Sequence, residues 1–195
     1  APRLQTLTDH WDEIKTLKAV PTVKVDGTST TLSMDERGQV HVYSRNWELD
    51  SMSSNMQLAK RFQLDKMLWP GMAVQFELCG PGIQSNRLKL PAQRPFVFAV
   101  WKDHHKIDRN QWPTGMPNLA VPELDENEWA LTGSVDDMIA KVDGLRGNVT
   151  KDRLDEGIVW HLHEDQQLSE GLANELGANR CFKIINNKYL TKNGL

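Results

Sequence analysis

Four charged side chains sit where charge is expensive. Arg45 in "YSRNWEL", Glu77 in "FELCGPGIQSN", Glu156 in "DEGIVWHL" and Lys183 in "CFKIINNKYL" each lie in or beside an apolar, strand-like run, where an ion loses more hydration than it does in a loop. A fifth, Lys24, closes the run "TVK". The Asp26-Gly27 turn that follows lets another group approach the backbone, which gives the lysine a fixed stem and an accessible amine. Taken alone, Lys24 could snorkel from a strand, and the other four could face solvent from one side of a sheet. If all share a face, they supply an amine nucleophile, two carboxylates for a divalent cation and cations for phosphate groups, the inventory of phosphoryl chemistry. The amine attacks only when deprotonated. With an ordinary pKa near 10.4, neutrality at pH 7 costs about 4–5 kcal/mol, so neighbouring cations or a bound metal have to depress it.

The elements that position these residues follow from periodicity and punctuation. "LTDHWDEIKTLKAV" spaces Trp11, Ile14, Leu17 and Val20 as a short helix ended by Pro21. "TVKVDGTSTTLSMDERGQVHVYSR" alternates apolar and polar residues and breaks at Asp26-Gly27 and Glu36-Arg37-Gly38, which predicts two or three antiparallel strands. A helix is expected in "SSNMQLAKRFQLDKML", closed by Pro70-Gly71, and strands in "MAVQFELCG" and "RPFVFAVW" around a Gly/Pro/Asn-rich loop. Residues 102–125 read as a surface excursion. Beyond them come a helix capped by Ser134, the strand "EGIVWHL", a helix ended by Gly177 and the strand "RCFKIIN". The fold class is α+β, antiparallel sheets with flanking helices, and the length suggests one domain over 1–195 with one core.

A 39% hydrophobic and 25% charged composition suits a globular protein. With a net charge of −3 there is no global basic footprint, so nucleic-acid binding has to come from a local patch. The N-terminus lacks a signal-peptide pattern, no long apolar run is present, and Cys79 and Cys181 are isolated thiols; together these suggest a cytoplasmic protein. His161 and His163 have ligand-like spacing but no third partner, and His104-His105 reads as loop surface. Seven Trp exceed expectation for this length; most should be core.

In order along the chain, "KVDGTS", "SRN", "FELCGPGIQSN", "FVFAV", "EGIVW" and "FKIINNKYL" resemble the motifs of the covalent nucleotidyltransferases, the superfamily of ATP-dependent ligases and mRNA capping enzymes. The set spans Lys24 to Lys188. "GPGIQSN" is similar to the RNA ligases, especially the Deinococcus-type nick-sealing enzymes and phage double-strand RNA ligases. Ser29 stands where DNA ligases and capping enzymes usually carry arginine. The resemblance implies the ligase adenylation fold, related to ATP-grasp, and an ATP-dependent RNA ligase. Lys24 is then the nucleophile that forms lysyl-AMP, AMP passes to an RNA 5′-phosphate, and a 3′-hydroxyl displaces it, with nicked duplex as the expected partner. Asp26, Glu77 and Glu156 match carboxylates that hold Mg²⁺ or Mn²⁺, through water. Gly27 belongs to the nucleotide-binding turn, and Arg45 matches an arginine near ribose and phosphates, with Asn46 beside it toward the RNA end. Phe98 matches the aromatic that stacks on adenine, with Phe96 a competing candidate, and Lys183 matches a lysine on the α-phosphate.

The chain departs from the family pattern at three places. Ile185 replaces a second lysine, leaving Lys188 or Lys192 to supply that contact, and Val23 replaces a glutamate that contacts adenine in phage relatives. No OB-fold module is expected within this chain, so it reads either as the catalytic core of a longer polypeptide or as a minimal ligase. Two other functions remain open on the sequence: a GTP-using capping guanylyltransferase, opposed by Ser29, and a nucleotide- or RNA-binding module without turnover.

Overall fold

The computed structural model describes residues 1–195. In chain order its elements are α1 (Trp11–Ile14), β1 (Ala19–Lys24), β2 (Thr28–Met34), β3 (Val40–Tyr43), β4 (Glu48–Leu49), α2 (Ser54–Arg61), α3 (Leu64–Met67), β5 (Met72–Cys79), β6 (Arg94–Lys102), β7 (His105–Ile107), α4 (Val135–Val142), β8 (Gly157–Leu162), α5 (Glu170–Leu176), β9 (Cys181–Ile185) and α6 (Asn187–Asn193). Where the length suggests one core, the chain builds two compact units, residues 1–24 with 122–195 and residues 25–121. Each has its own apolar cluster.

The first unit is a three-stranded antiparallel sheet in the order β1-β8-β9. Alternation along the strands sends Ala19, Ile158, Trp160, Leu162, Phe182 and Ile184 into a core shared with Leu4, Leu7, Ile14 and Met138. Thr22, Lys24, Val159, His161 and Lys183 fall on the other face by the same alternation. The helix expected up to Pro21 ends at Ile14 instead, and Pro21 lies inside β1 opposite Trp160. A proline is tolerated there because β1 is the outer strand of the sheet. On that outer side the Pro21 carbonyl accepts from Leu124 N at 2.9 Å. Ser134 caps α4 in a reciprocal capping box with Asp137, and Gly177 ends α5, both as the sequence predicts.

The second unit is a six-stranded antiparallel sheet, β4-β3-β2-β5-β6-β7. Leu32, Val74, Phe76, Val97 and Val100 pack on one face with Met56, Ala59 and Leu64 from α2 and α3. Val97 and Val100 are three residues apart, an odd number that would set them on opposite faces of a regular strand. A bulge opposite Gln75 and Phe76 resolves this: Gln75 pairs with Ala99 and Phe76 with Val97, leaving Phe98 as the extra residue. The expected single helix over 53–68 breaks into α2 and α3 at Gln63, whose φ is +60°. The segment expected to be a surface excursion is only partly so, since Met116 within it is fully buried in this core.

Candidate functional site

Lys24 is the last residue of β1 and pairs with Gly157, which pairs in turn with Ile185. A Cβ on Gly157 would stand 2.2 Å from the Ile184 carbonyl oxygen, so this approach of β8 to β9 requires glycine. Glu156 immediately precedes β8, and its Oε1 accepts from Lys24 Nζ at 3.2 Å. The two side chains are 26% and 18% exposed, sheltered enough for the pair to be held and open enough to be reached. Along the same face, Thr22 Oγ1 lies 3.1 Å from His161 Nε2 and donates to Val159 O at 3.3 Å. Lys183 pairs with Val159, the residue opposite Thr22, so register alone brings Lys183 onto the face of Lys24. His161 is hydrogen-bonded, as expected, yet it belongs to this face. His163 lies beyond the strand end in an ion pair with Glu126. Ile185 is buried, and Lys188 and Lys192 are exposed on α6.

The second unit carries the remaining predicted residues. Asp26 accepts from Arg87 Nη1 at 2.7 Å. Sequence reasoning missed Arg87, because it sits in the Gly/Pro/Asn-rich loop and nothing local announces a partner 61 residues away. Gly27 has an ordinary φ, but a Cβ there would lie 2.1 Å from the Leu78 carbonyl oxygen, so the turn needs glycine for close approach to β5. Glu77 pairs with Ser29 on one side and Phe96 on the other. Phe96 is 3% exposed, with the Arg94 guanidinium 4.2 Å above its ring. Phe98, at the bulge, is half-buried and the more accessible of the two. Arg45 is not in a strand. It is exposed at the tip of the β3–β4 connection beside Asn46 and Trp47, and Trp47, 74% exposed, is an exception to the expected burial of tryptophan.

The face carrying Glu77 also borders, toward the far end of β2, a cavity of about 540 Å³ whose lining includes Thr31, Ser33, Gln75, Trp101, Asp35 and Asp103. Its carboxylates oppose a phosphate there. Nearby, His41 bridges Asp35 and Glu48 at 2.9 Å each, and these hydrogen bonds raise its pKa above the usual 6.5. His104 occupies a tight β6–β7 turn with Asp103, both at positive φ, and His105 begins β7.

For a divalent cation, the donors offered by Asp26, Glu77 and Glu156 are carboxylate oxygens, which suit Mg²⁺ or Mn²⁺. No three His, Cys, Asp or Glu side chains form a ready-made metal cluster. Asp26 and Glu156 are engaged by Arg87 and Lys24. Carboxylates already engaged in this way fit an ion that keeps much of its water, not a fully protein-enclosed one.

The family model described as RNA ligase matches residues 18–185. A Naegleria gruberi RNA ligase structure with PPi superposes with a TM-score of 0.78 at 25% identity, over 99% of this chain and 56% of that one. A mutant of that enzyme with ATP and Mn gives 0.78 at 26% identity and the same coverage. A further mutant, with AMP and Mn, gives 0.76 at 25%, over 98% and 56%. The chain thus spans little more than half the length of these structural relatives. A search of curated proteins finds no match. No helix is long and apolar enough to cross a membrane.

Proposed function

We propose that this chain, which belongs to the RNA ligase family, is the adenylating core of an ATP-dependent RNA ligase, with the two units of residues 1–195 acting as one nucleotidyltransferase domain. The observation that carries the proposal is the half-buried Lys24 amine at the end of β1, held 3.2 Å from Glu156 and sharing its sheet face with Lys183.

In the first step, the deprotonated Lys24 Nζ attacks the α-phosphorus of ATP and loses a further proton to solvent as the phosphoramidate forms. An N–P bond forms, the bond from that phosphorus to the bridging oxygen of pyrophosphate breaks, and the electron pair leaves with pyrophosphate. Lys183 faces the α-phosphate and stabilises its charge, and the Gly27 turn admits the nucleotide close to the backbone. Phe98 stacks on adenine, and Arg45 reaches ribose and phosphate from its exposed loop, with Asn46 toward the RNA end. Such in-line displacements are catalysed mainly by positioning and charge neutralisation. Asp26, Glu77 and Glu156 would hold Mg²⁺ or Mn²⁺, which would supply positive charge to the phosphates. For Lys24 to attack, its contact with Glu156 has to be released. AMP then moves to an RNA 5′-phosphate, and a 3′-hydroxyl displaces it to seal the strand. Nicked duplex is the proposed substrate, an OB-fold module in a longer polypeptide the proposed companion, and RNA repair the proposed setting. Cys79 and Cys181 are buried and form no disulfide, which supports a cytoplasmic location.

The test is a sealing assay with ATP and Mg²⁺ on nicked duplexes whose 3′ end at the nick is RNA or DNA. Sealing of the RNA-ended nick, with an adenylylated 5′ end as intermediate, is expected. Binding of ATP and RNA with no adenylylated species at any time would overturn the assignment in favour of a module without turnover.

A further inference from the structure

The three strands of the first unit finish together at the register Lys24, Gly157, Ile185. Past this end, the chain runs back from β8 into the segment 143–155 and forward from β9 into α6. Both extensions are basic: Arg146, Lys151 and Arg153 lie in the first, Lys188 and Lys192 in the second, against two exposed carboxylates, Asp143 and Asp152. In a chain of net charge −3 this is a local reversal of sign. Arg146, Lys151, Lys188 and Lys192 are exposed, Arg153 is half-exposed, and none of the five is ion-paired within the molecule.

The backbone beneath these cations is tied down. Gly147 N donates to Arg153 O at 2.8 Å, and Arg146 bridges Leu154, which brings the two arginine backbones side by side. Asn186, fully buried at the start of α6, donates through Nδ2 to Leu145 O and Asp155 O at 3.0 and 2.9 Å and accepts from Gly144 N at 2.9 Å. Asp155, also fully buried, accepts from Asn148 Nδ2 at 2.7 Å. Lys188 lies over this loop, its Nζ 3.4 Å from where a Cβ of Gly144 would stand. An ordinary solvated surface interleaves charges of both signs. Here like charges are gathered on a fixed ledge that adjoins the strand ends bearing Lys24 and Glu156.

We propose that this ledge, the 144–153 loop with the exposed face of α6, binds backbone phosphates of the RNA strand flanking the reacting end. The assignment rests on the ligase reading above and adds the surface by which that substrate is gripped. Contacts of this kind position a strand without reading its sequence and release condensed counterions, so they show as salt dependence.

The experiment compares wild type with Arg146→Ala/Lys151→Ala/Arg153→Ala, all outside the proposed nucleotide site. Binding to a 5′-phosphorylated nicked duplex is titrated from low to moderate salt, and covalent labelling by α-labelled ATP is followed in parallel. The triple variant is expected to bind RNA on the order of 10- to 100-fold more weakly at ~0.1 M salt. Its slope of log affinity against log salt should be shallower by about 0.7–0.9 for each phosphate that the variant no longer neutralises. ATP labelling should stay at the wild-type rate, and Arg146→Lys/Arg153→Lys should keep most of the affinity. Equal affinity and slope in wild type and variant would overturn the proposal, as would equal losses of labelling and RNA binding in a variant that melts like wild type. Arg146→Glu, a single change at an exposed position, gives the same comparison if the triple variant folds poorly. A wild type that binds RNA through this ledge but forms no lysyl-AMP would sink the ligase reading and leave the ledge standing.

Discussion

Replacing Gly27 with alanine adds one methyl group at the tightest point of the Asp26-Gly27 turn. That carbon would sit 2.1 Å from the Leu78 carbonyl oxygen, 2.7 Å from Cys79 Sγ and 2.9 Å from Leu78 C. The first of these is roughly 1 Å inside ordinary contact, and the obstacle is the backbone of β5, which cannot swing away as a side chain can. The turn therefore has to lift from β5, carrying Asp26 away from Arg87 and shifting Ser29 against Glu77. Overpacking of this kind destabilises by about 1–3 kcal/mol, and at about 2–4 °C per kcal/mol for a protein of this size the melting temperature should fall by about 2–12 °C. A displacement near 1 Å of groups that position a reaction slows it by about 10²-fold, so single-turnover formation of lysyl-AMP should drop by that order. Gly38→Ala is the control. Gly38 has a φ of +81° and open space around it, so alanine there meets only the left-handed backbone penalty of about 1–2 kcal/mol and should leave labelling intact. Circular-dichroism melts and α-labelled ATP report the two effects. Wild-type melting and labelling in Gly27→Ala, or an equal loss of labelling in Gly38→Ala, would refute the steric reasoning.

Three further outcomes follow from the geometry. Glu156→Ala removes the partner that positions the resting Lys24 amine and one of the carboxylates proposed for the cation, and should slow lysyl-AMP formation by about 10²-fold in single-turnover labelling, as loss of positioning does; an unchanged rate would count against the role given to Glu156. Burial pushes the Asp155 carboxyl above its ordinary 3.8, despite the opposing Asn148 donors. The fold therefore favours the protonated form, a contribution complete below 3.8 and lost as pH rises through the higher folded value. Asp155→Asn should flatten the decline in melting temperature across that window, and parallel wild-type and variant curves would contradict this. His41, raised above 6.5 by its bonds to Asp35 and then Glu48, contributes stability that is complete below 6.5 and lost as pH climbs through its folded value. His41→Gln should remove that alkaline loss, as read from melts on either side of neutrality.

Much of this arrangement was readable because it is local. The Asp26-Gly27 turn, the Ser134 cap and the Gly177 stop are written within a few residues of where they act. The placement of Lys24 and Lys183 on one face follows from strand alternation once the three strands pair, whereas Glu156 lies just outside β8 and reaches Lys24 from the connection before it. Features decided by distant partners were not readable. Pro21 looks like a helix stop, and only its place on an outer strand makes it acceptable in a sheet. Arg87 looks like loop surface until the fold brings it to Asp26. Phe96 and Phe98 appear equivalent by alternation, and the bulge opposite Gln75 separates them, burying the first and leaving the second accessible. Two cores replace one because the apolar residues of 25–121 close on themselves, a matter of long-range pairing that composition does not report.

The central claim is that Lys24 is the residue that takes AMP from ATP. Incubation with ATP and Mg²⁺, followed by intact-protein mass spectrometry and peptide mapping, tests it most directly. The account predicts a single AMP adduct mapped to Lys24, abolished in Lys24→Ala and cleaved by acid as a phosphoramidate is. An adduct on another residue, or one that survives in Lys24→Ala, would contradict it.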